Sequence, residues 1–511
     1  MTPDAYVWTV EVAALTAEGA PTTLRWATPG GYMTWPEDTP DNAFFRDVGL
    51  EIGPLRRTAL RGGVLGQVVE RSYGALTVTN VGDMDVVRSY AVAGREVVVR
   101  RGRRSGHMPG DHPVYWRGVA GMPSIDLYTM TIPLVSRLDQ ALTSLLTDAT
   151  YAGTNTDGGG IEGDGEMADR AKPFGLGTFR HVAPVLVNGE RGIYHVTVAE
   201  ALGAGVALEV FEAAHPLTMG VQRSSAAALH TTAPAASMVD WCLDDAEGLY
   251  FRLGATAQGV ITCSVSGTDT VAALVRRLLI GPGGLPESAV PPASFDAFAT
   301  ALPGLAGDWD EGGGTVGDMI DRLLSGTGGV LVERLDGTLA IVRPTDVTTG
   351  PAAFDLERRH LVRGRSAISR VATTVPHYAV EFGYGHLWRT FDEGTIAPAE
   401  LASLGGLRDA DQVARTEDAV LKARYPTSTV LKVTSRLADR ADAEALAARA
   451  LALEERRHQP IAATLAVDDI AGLELGDVVR NATGRLGHDP EYWTIVGLTL
   501  TNQRTATLEL W

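Results

Sequence analysis

Apolar residues along the chain fall into two periodicities, and their distribution divides it. From Tyr6 to about Val119 the period is two: TVEV, YGALTVTN, REVVVR and PVYWRGVA alternate in strand fashion between Gly, Pro and Asp clusters. Pro184 to Val187 and Ile193 to Val196 flank Asn188-Gly189, a pair that supplies the positive φ angles of a tight hairpin turn. Then the period changes to that of a helix. Thr270 leads into Val271, Leu274, Val275, Leu278 and Leu279, ended by Gly281-Pro282-Gly283, and Thr315 leads into Val316, Met319, Ile320, Leu323 and Leu324, with Asp318 placed for a capping box. The stretch VLVERLDGTLAIV follows, with Asp336-Gly337 marking a hairpin. These elements predict an α+β module whose two helices pack on one sheet face. HYAVEFGYG reads as a strand and Asp442 to His458 as a helix stopped by Pro460; IAATLAV, LGDVVR, YWTIVGLTL and TATLELW read as four closing strands of a barrel or sandwich. A chain that ends on Leu510-Trp511 predicts a packed terminus with Trp511 buried, because unpaired ends fray.

Between these regions lies YAGTNTDGGGIEGDGEMADR, Tyr151 to Arg170, without periodicity and so read as an exposed loop or boundary; Lys172-Pro173 restart the structure beyond it. The predicted fold is mainly β and multidomain: tube-like β-barrels or sandwiches, an inserted α+β module and a C-terminal β domain. Its four stretches are 1–165, 166–235, 236–350 and 351–511. A length of 511 residues suits such a division, each part able to bury its own core.

Charge narrows the functions. With 44 basic and 62 acidic residues the net charge is −18, which repels phosphate backbones and anionic membrane surfaces. Lys172, Lys422 and Lys432 are the only lysines, and none follows a glycine, so no Walker A loop exists. HExxH, CxxC and GxSxG are also missing, and the glycines of ALGAGV, Gly203 and Gly205, have no dinucleotide-binding context. Cys242 and Cys263 are too few for a disulfide framework and too far apart for a redox or zinc motif; buried thiols are the reading. The N-terminal MTPDAYVWTVEV has Asp4 where a signal peptide carries positive charge, and no apolar run is long enough to span a membrane. A protein made in a cytoplasm and remaining soluble is expected.

Three constellations invite chemistry, and each has a plainer reading. His107, Asp111 and His112 could gather a metal ion, but Pro and Gly around them indicate a loop with solvated side chains. Gly158 to Glu166, GGGIEGDGE, resembles a calcium repeat that occurs once, where such sites need stacked neighbours. Asp308, Asp310 and Glu311 could act as paired glycosidase carboxylates, although acids this close in a Gly-rich stretch are usually solvated. Arg95, Arg100, Arg101, Arg103 and Arg104 form the one basic cluster, read as a solvated strand end or subunit salt-bridge patch ahead of a nucleic-acid contact. No Lys or Arg lies between Arg277 and Arg322, which makes that window acidic.

The order of segments resembles the baseplate hub proteins of long-tailed phages and related gene transfer agents. SYGALTVTN with VGDMD, YWRGVAG, YAGTN with its acidic glycine loop and AKPFGLG with a hairpin resemble the front half. GLYFRLGATAQGVITCSVSG, VGDMIDRLLSGTGG, VEFGYGHLW and LELGDVVR through TATLELW resemble the rest, so nearly the whole chain is covered by motifs that are individually of low specificity. The resemblance implies a non-enzymatic structural protein of the virion tail tip. Three copies would close into a ring beneath a hexameric tail tube, with tail-tip or fibre proteins below and the genome as passing cargo. It implies no catalytic, cofactor or metal residue, and the two cysteines cannot ligate the iron-sulfur cluster that some hubs carry. Two rival classes remain: a carbohydrate-binding or adhesion module presenting Tyr32, Trp35 and Trp388, and a β-rich glycoside hydrolase using the acids at 308 to 311.

Overall fold

The protein was analysed as a computed structural model, which describes residues 6–59, 70–82, 84–156, 158–199, 205–343, 351–361, 368–370, 375–455, 461–483 and 491–511. The fold is mainly β, with seven sheets among these residues. Chain contacts gather into two compact units, each assembled from separated segments: Met1–Gln140, Val330–Thr374 and Arg457–Trp511 in the first, Ala141–Gly329 and Val375–Arg456 in the second.

The first unit holds a ten-stranded sheet and an eight-stranded one. In the ten-stranded sheet, Tyr6–Leu15 runs antiparallel between Pro21–Thr28 and Glu96–Arg103, and the order continues through Val114–Ala120, Thr129–Val135 and Ala75–Thr79 to Glu51–Ile52 at one edge. The opposite edge is the short strand Tyr32–Met33, paired with Phe44–Asp47. Alternation drives the burial: Val10, Val12, Val97 and Val99 point into the core, as a period of two requires. The eight-stranded sheet contains all four strands expected near the C-terminus, Ile461–Ala466, Val478–Asn481, Glu491–Leu500 and Thr505–Leu510. It also takes in Leu55–Thr58, which pairs with Glu491–Leu500, so remote parts of the sequence share one sheet. Trp511 is buried at 5% exposure and exchanges backbone hydrogen bonds of 2.7 and 2.9 Å with Thr494. The Asp336-Gly337 hairpin forms as expected, Gly337 taking φ 81°, but its strands Val330–Glu333 and Leu339–Val342 join the core of this first unit and not that of the helices preceding them.

In the second unit both expected helices form within their expected bounds, Val271–Ile280 and Val316–Leu324. Thr270 Oγ1 accepts from Ala273 N–H, and Thr315 and Asp318 complete a reciprocal capping box that satisfies two otherwise unpaired N–H groups. A third helix, Pro292–Ala301, packs beside Val271–Ile280; its start lacks a side-chain cap, and Pro292 stands at the first helical position, where proline is favoured. The strand Phe174–Gly177, which follows Lys172-Pro173, pairs with Gly307–Asp310. Gly177, at φ 64°, is required there, since a Cβ would sit 2.2 Å from the Ala306 carbonyl oxygen.

One hairpin turn falls elsewhere than expected. The hairpin after Pro184 does not turn on Asn188-Gly189: Asn188 is the last residue of the strand Val185–Asn188, the turn covers Gly189 to Gly192, and the left-handed position is Gly192 at φ 60°. The cause is a bulge between Leu186 and Asn188, with Asn188 Oδ1 accepting from Arg191 N–H at 3.0 Å. Among its described residues Tyr151 to Arg170 is irregular and largely exposed, as expected, with one short helical turn at Gly165–Met167, but it is anchored. Asn155 donates to the Val187 carbonyl at 2.7 Å, and Asn188 donates to the carbonyls of Gly158 and Gly160, so the segment is laced onto that hairpin. The expected end of the long helix at His458 and Pro460, and Gly203, lie outside the described residues; the helix itself is Arg440–Glu455.

Candidate functional site

Each predicted constellation resolves into internal bonding. His107 Nδ1 lies 3.0 Å from Asp38, a residue the sequence did not single out, while the His107 backbone N–H donates to the Asp111 carboxylate. His112 faces the other way, its Nε2 at 3.0 Å from the Arg103 carbonyl, and burial lowers its affinity for a proton. Burial opposes ionisation of Asp38, but donors from Trp35, His107 and Met108 outweigh it and hold the carboxyl below its usual range. Among the described residues no group of three His, Cys, Asp or Glu is gathered as metal ligands.

The carboxylates at 308 to 311 diverge. Asp308 was expected to be solvated and is not: it is fully buried, because it lies on the Gly307–Asp310 strand rather than in a loop. Arg322 and Arg436 bind its two oxygens, the latter at 2.9 Å. Burial raises the carboxyl above its ordinary value while both guanidinium groups oppose that rise. Asp310 caps the following Gly-rich turn through Gly312 and Gly314 N–H, and Glu311 is exposed and paired with Arg170. Arg322 also reaches Asp310, at 3.5 Å, so Asp308 and Asp310 share one cation while Glu311 pairs with another.

Near Lys172 the structure shows a cluster that the sequence reading passed over. Lys172 is buried, bonded to Glu162 at 2.7 Å, with its ammonium 5.4 Å from the Tyr151 ring centre. Tyr151 Oη lies 2.7 Å from His195 Nδ1, and His195 stacks on Tyr250. Burial, with a further push from Lys172, takes His195 down to about 3, so it is neutral. Both cysteines are buried free thiols, Cys242 pushed up to about 12 by burial.

Two of the clustered arginines are tied into the fold. Arg101 reaches Asp468 at 2.8 Å and lies over the rings of Tyr6 and Trp8, and Arg104 donates to Gly31 O at 2.8 Å. Of the aromatic trio Trp35 is the most open to water, at 46% exposure, and Trp388 is partly exposed. Tyr32 is buried with its hydroxyl on Gly106 O, and Trp388, in the other unit, donates to Trp309 O at 2.8 Å. Tyr32, being buried, presents no ring face for a sugar to stack on.

Surface, then, is where unexplained chemistry remains, and it is apolar. The hairpin at the Tyr32–Met33 edge turns Tyr32 and Phe45 inward and their neighbours Met33 and Phe44 outward, where alternation ordinarily places polar residues. Met33 and Phe44 are 56% and 58% exposed, with Trp35 close by in sequence. Towards the other end of the same sheet a second group surrounds Asn80. Its backbone N–H bonds Tyr128 O at 2.7 Å, and its side-chain amide donates to Asp126 O and Asp85. Asp126 caps the turn by accepting from Tyr128 and Thr129 N–H, both at 2.7 Å, bonds that hold its carboxyl below the usual range. This framework displays Leu127 and Tyr128, with Val81 and Val86 beside them, all more than half exposed. Scattered apolar residues in an all-β reading carry no signal in one dimension; the pairing register is what groups them.

No protein-family model matches the chain, and no curated protein matches it in sequence. Among solved structures, it is similar over 92% of its length to 96% of the 43 kDa tail protein of prophage MuSo2 from Shewanella oneidensis, at 10% identity and a TM-score of 0.37. It is similar over 99% of its length to 96% of a tail protein from Neisseria meningitidis MC58, at 10% identity and a TM-score of 0.41. A third likeness, over 66% of this chain and 76% of the other, is to a chain of the virion of a native gene transfer agent particle, at 15% identity and a TM-score of 0.34. At such identities and scores the functional reading rests on the chain's own residues. No helix among the described residues is long and apolar enough to cross a membrane.

Proposed function

We propose that this chain is the structural hub of a phage tail tip or baseplate. Three copies form a ring that joins the hexameric tail tube to distal tail-tip or fibre proteins and surrounds the path of the exiting DNA. One observation carries the reading: the segments that resemble hub proteins are framework. YGALTVTN falls on Ala75–Thr79, YWRGVAG on Val114–Ala120, AKPFGLG on Phe174–Gly177, VGDMIDRLL on the capped helix Val316–Leu324, and the C-terminal segments on strands of one sheet. What these stretches share with a hub is architecture, and the groups weighed as catalytic are bound up in internal pairs. A net charge of −18 suits a wall past which DNA slides, since attraction would slow its passage. In this reading nothing is catalysed, and the chain acts by shape and symmetry within the virion.

The test is assembly. Mixed with the tail-tube and distal tail proteins, the chain is expected to give rings of three copies by mass measurement and negative-stain imaging, because closed assemblies can need a template. A chain that remains monomeric in the presence of all those partners overturns the proposal.

A further inference from the structure

We infer that, within the ring just proposed, neighbouring copies join head to tail through two apolar surfaces of the ten-stranded sheet: the Leu127–Tyr128 tip of one copy packs on the Met33–Phe44 edge of the next. The inference rests on the ring reading and names its contact. Leu127 is 81% and Tyr128 76% exposed, on a turn fixed by the Asp126 carboxylate and by Asn80, so the tip is held ready to dock without further ordering. The receiving edge is also preformed: Tyr32 and Phe45 anchor the hairpin from beneath, while Trp35 N–H is held by Asp38 at 2.8 Å.

Three arguments select a second copy as the occupant. The surfaces lie near opposite ends of one strand order, so each copy carries both halves of a contact, and a contact between unlike surfaces propagates until rotation closes it. At the sheet's edge strand Tyr32–Met33, which has one neighbour among the described residues, the outward pair Met33 and Phe44 is apolar where a solvated face carries polar residues. The area is also adequate. At roughly 150–250 Å² for a large side chain, the exposed parts of Val81, Val86, Leu127, Tyr128, Met33, Trp35 and Phe44 come to about 900 Å², over half of a standard interface of about 1,600 Å². That is the apolar centre, and a polar rim would supply the remainder.

Cysteine pairing tests the contact. Cys242 and Cys263 are fully buried and do not compete. A chain carrying both Phe44→Cys and Leu127→Cys, oxidised in the assembly with tube and distal proteins, is expected to give covalent multimers ending at three chains, whereas each single variant stays one chain on a non-reducing gel. Dimers from Leu127→Cys alone, or no multimers from the double variant although rings form, overturn the contact. Leu127→Asp with Tyr128→Asp is expected to abolish rings while leaving the thermal unfolding midpoint unchanged, both side chains being in water. Rings that persist in that variant sink the contact and leave the hub reading standing; a wild-type chain that never assembles sinks both.

Discussion

Asp308 accepts a 2.9 Å hydrogen bond from Nε of Arg436, 128 residues further along the chain, and Arg322 holds its other oxygen. The carboxylate therefore ties the Gly307–Asp310 strand to the returning segment of the second unit. Removing Asp308 leaves largely buried Arg436, and partly exposed Arg322, without the anion they share. Asp308→Ala is expected to cost about 3–5 kcal/mol in chemical denaturation. Asp310→Asn, at a partly exposed turn, is expected to change stability by less than about 1 kcal/mol. Equal effects from the two would contradict the assigned roles.

Thr315 and Asp318 satisfy each other across the first turn of Val316–Leu324, and hydrogen bonding from Thr315 holds the Asp318 carboxyl below its ordinary value. Thr315→Ala is expected to lower stability by about 1 kcal/mol, whereas Thr315→Ser is expected to be nearly neutral because the hydroxyl is kept. Denaturant midpoints at unchanged slope would measure both.

This cap was legible in the sequence, as were both amphipathic helices, the C-terminal strands and buried Trp511, because each is signalled locally by periodicity, a turn residue or a cap. What escaped depends on partners far away in sequence. The solvated reading of Asp308 was reasonable for DWDEGGG alone; Arg322 and Arg436 reverse it. Asn188-Gly189 looked like a hairpin turn, but tertiary bonds from Asn188 to Gly158 and Gly160 commit that side chain elsewhere. The helix Pro292–Ala301 has no capping side chain and buries only Phe295 and Phe298, too narrow a stripe to signal it, and the exposed apolar surfaces are visible only once strand register places Met33 beside Phe44.

Lys172 joins Glu162, in the acidic glycine segment, to the face of Tyr151, which in turn bonds His195. Lys172→Met keeps the aliphatic stem but removes the ammonium, leaving Glu162 without its cation. The expected result is faster amide exchange and faster proteolytic nicking confined to Tyr151–Arg170, with the hairpin beneath still protected. Protection unchanged in that segment would show that the asparagine contacts alone secure it.

Glu333 and Glu474 share the buried guanidinium of Arg57, through the Glu333 carbonyl at 2.7 Å and the Glu474 carboxylate at 3.1 Å, and the Tyr73 hydroxyl donates to the Glu333 carboxyl at 3.1 Å. Burial raises both carboxyls above the ordinary glutamate value, with Arg57 pulling the other way. A carboxyl whose folded-state value is raised binds its proton more tightly when folded, so its contribution to stability is fully present below the unfolded value and is lost as pH rises through the folded one. Glu333→Gln keeps an acceptor for Tyr73 and removes the charge that burial penalises. The variant is therefore expected to gain on the wild type as pH rises above the ordinary glutamate value, the difference in unfolding midpoint growing until the raised folded-state value is passed and then levelling. Thermal melts of both chains over the series measure it. Should the variant instead lose ground as pH rises, the charged form of Glu333 would be the one the fold prefers, and attraction to Arg57 and Arg71 would outweigh burial at this position.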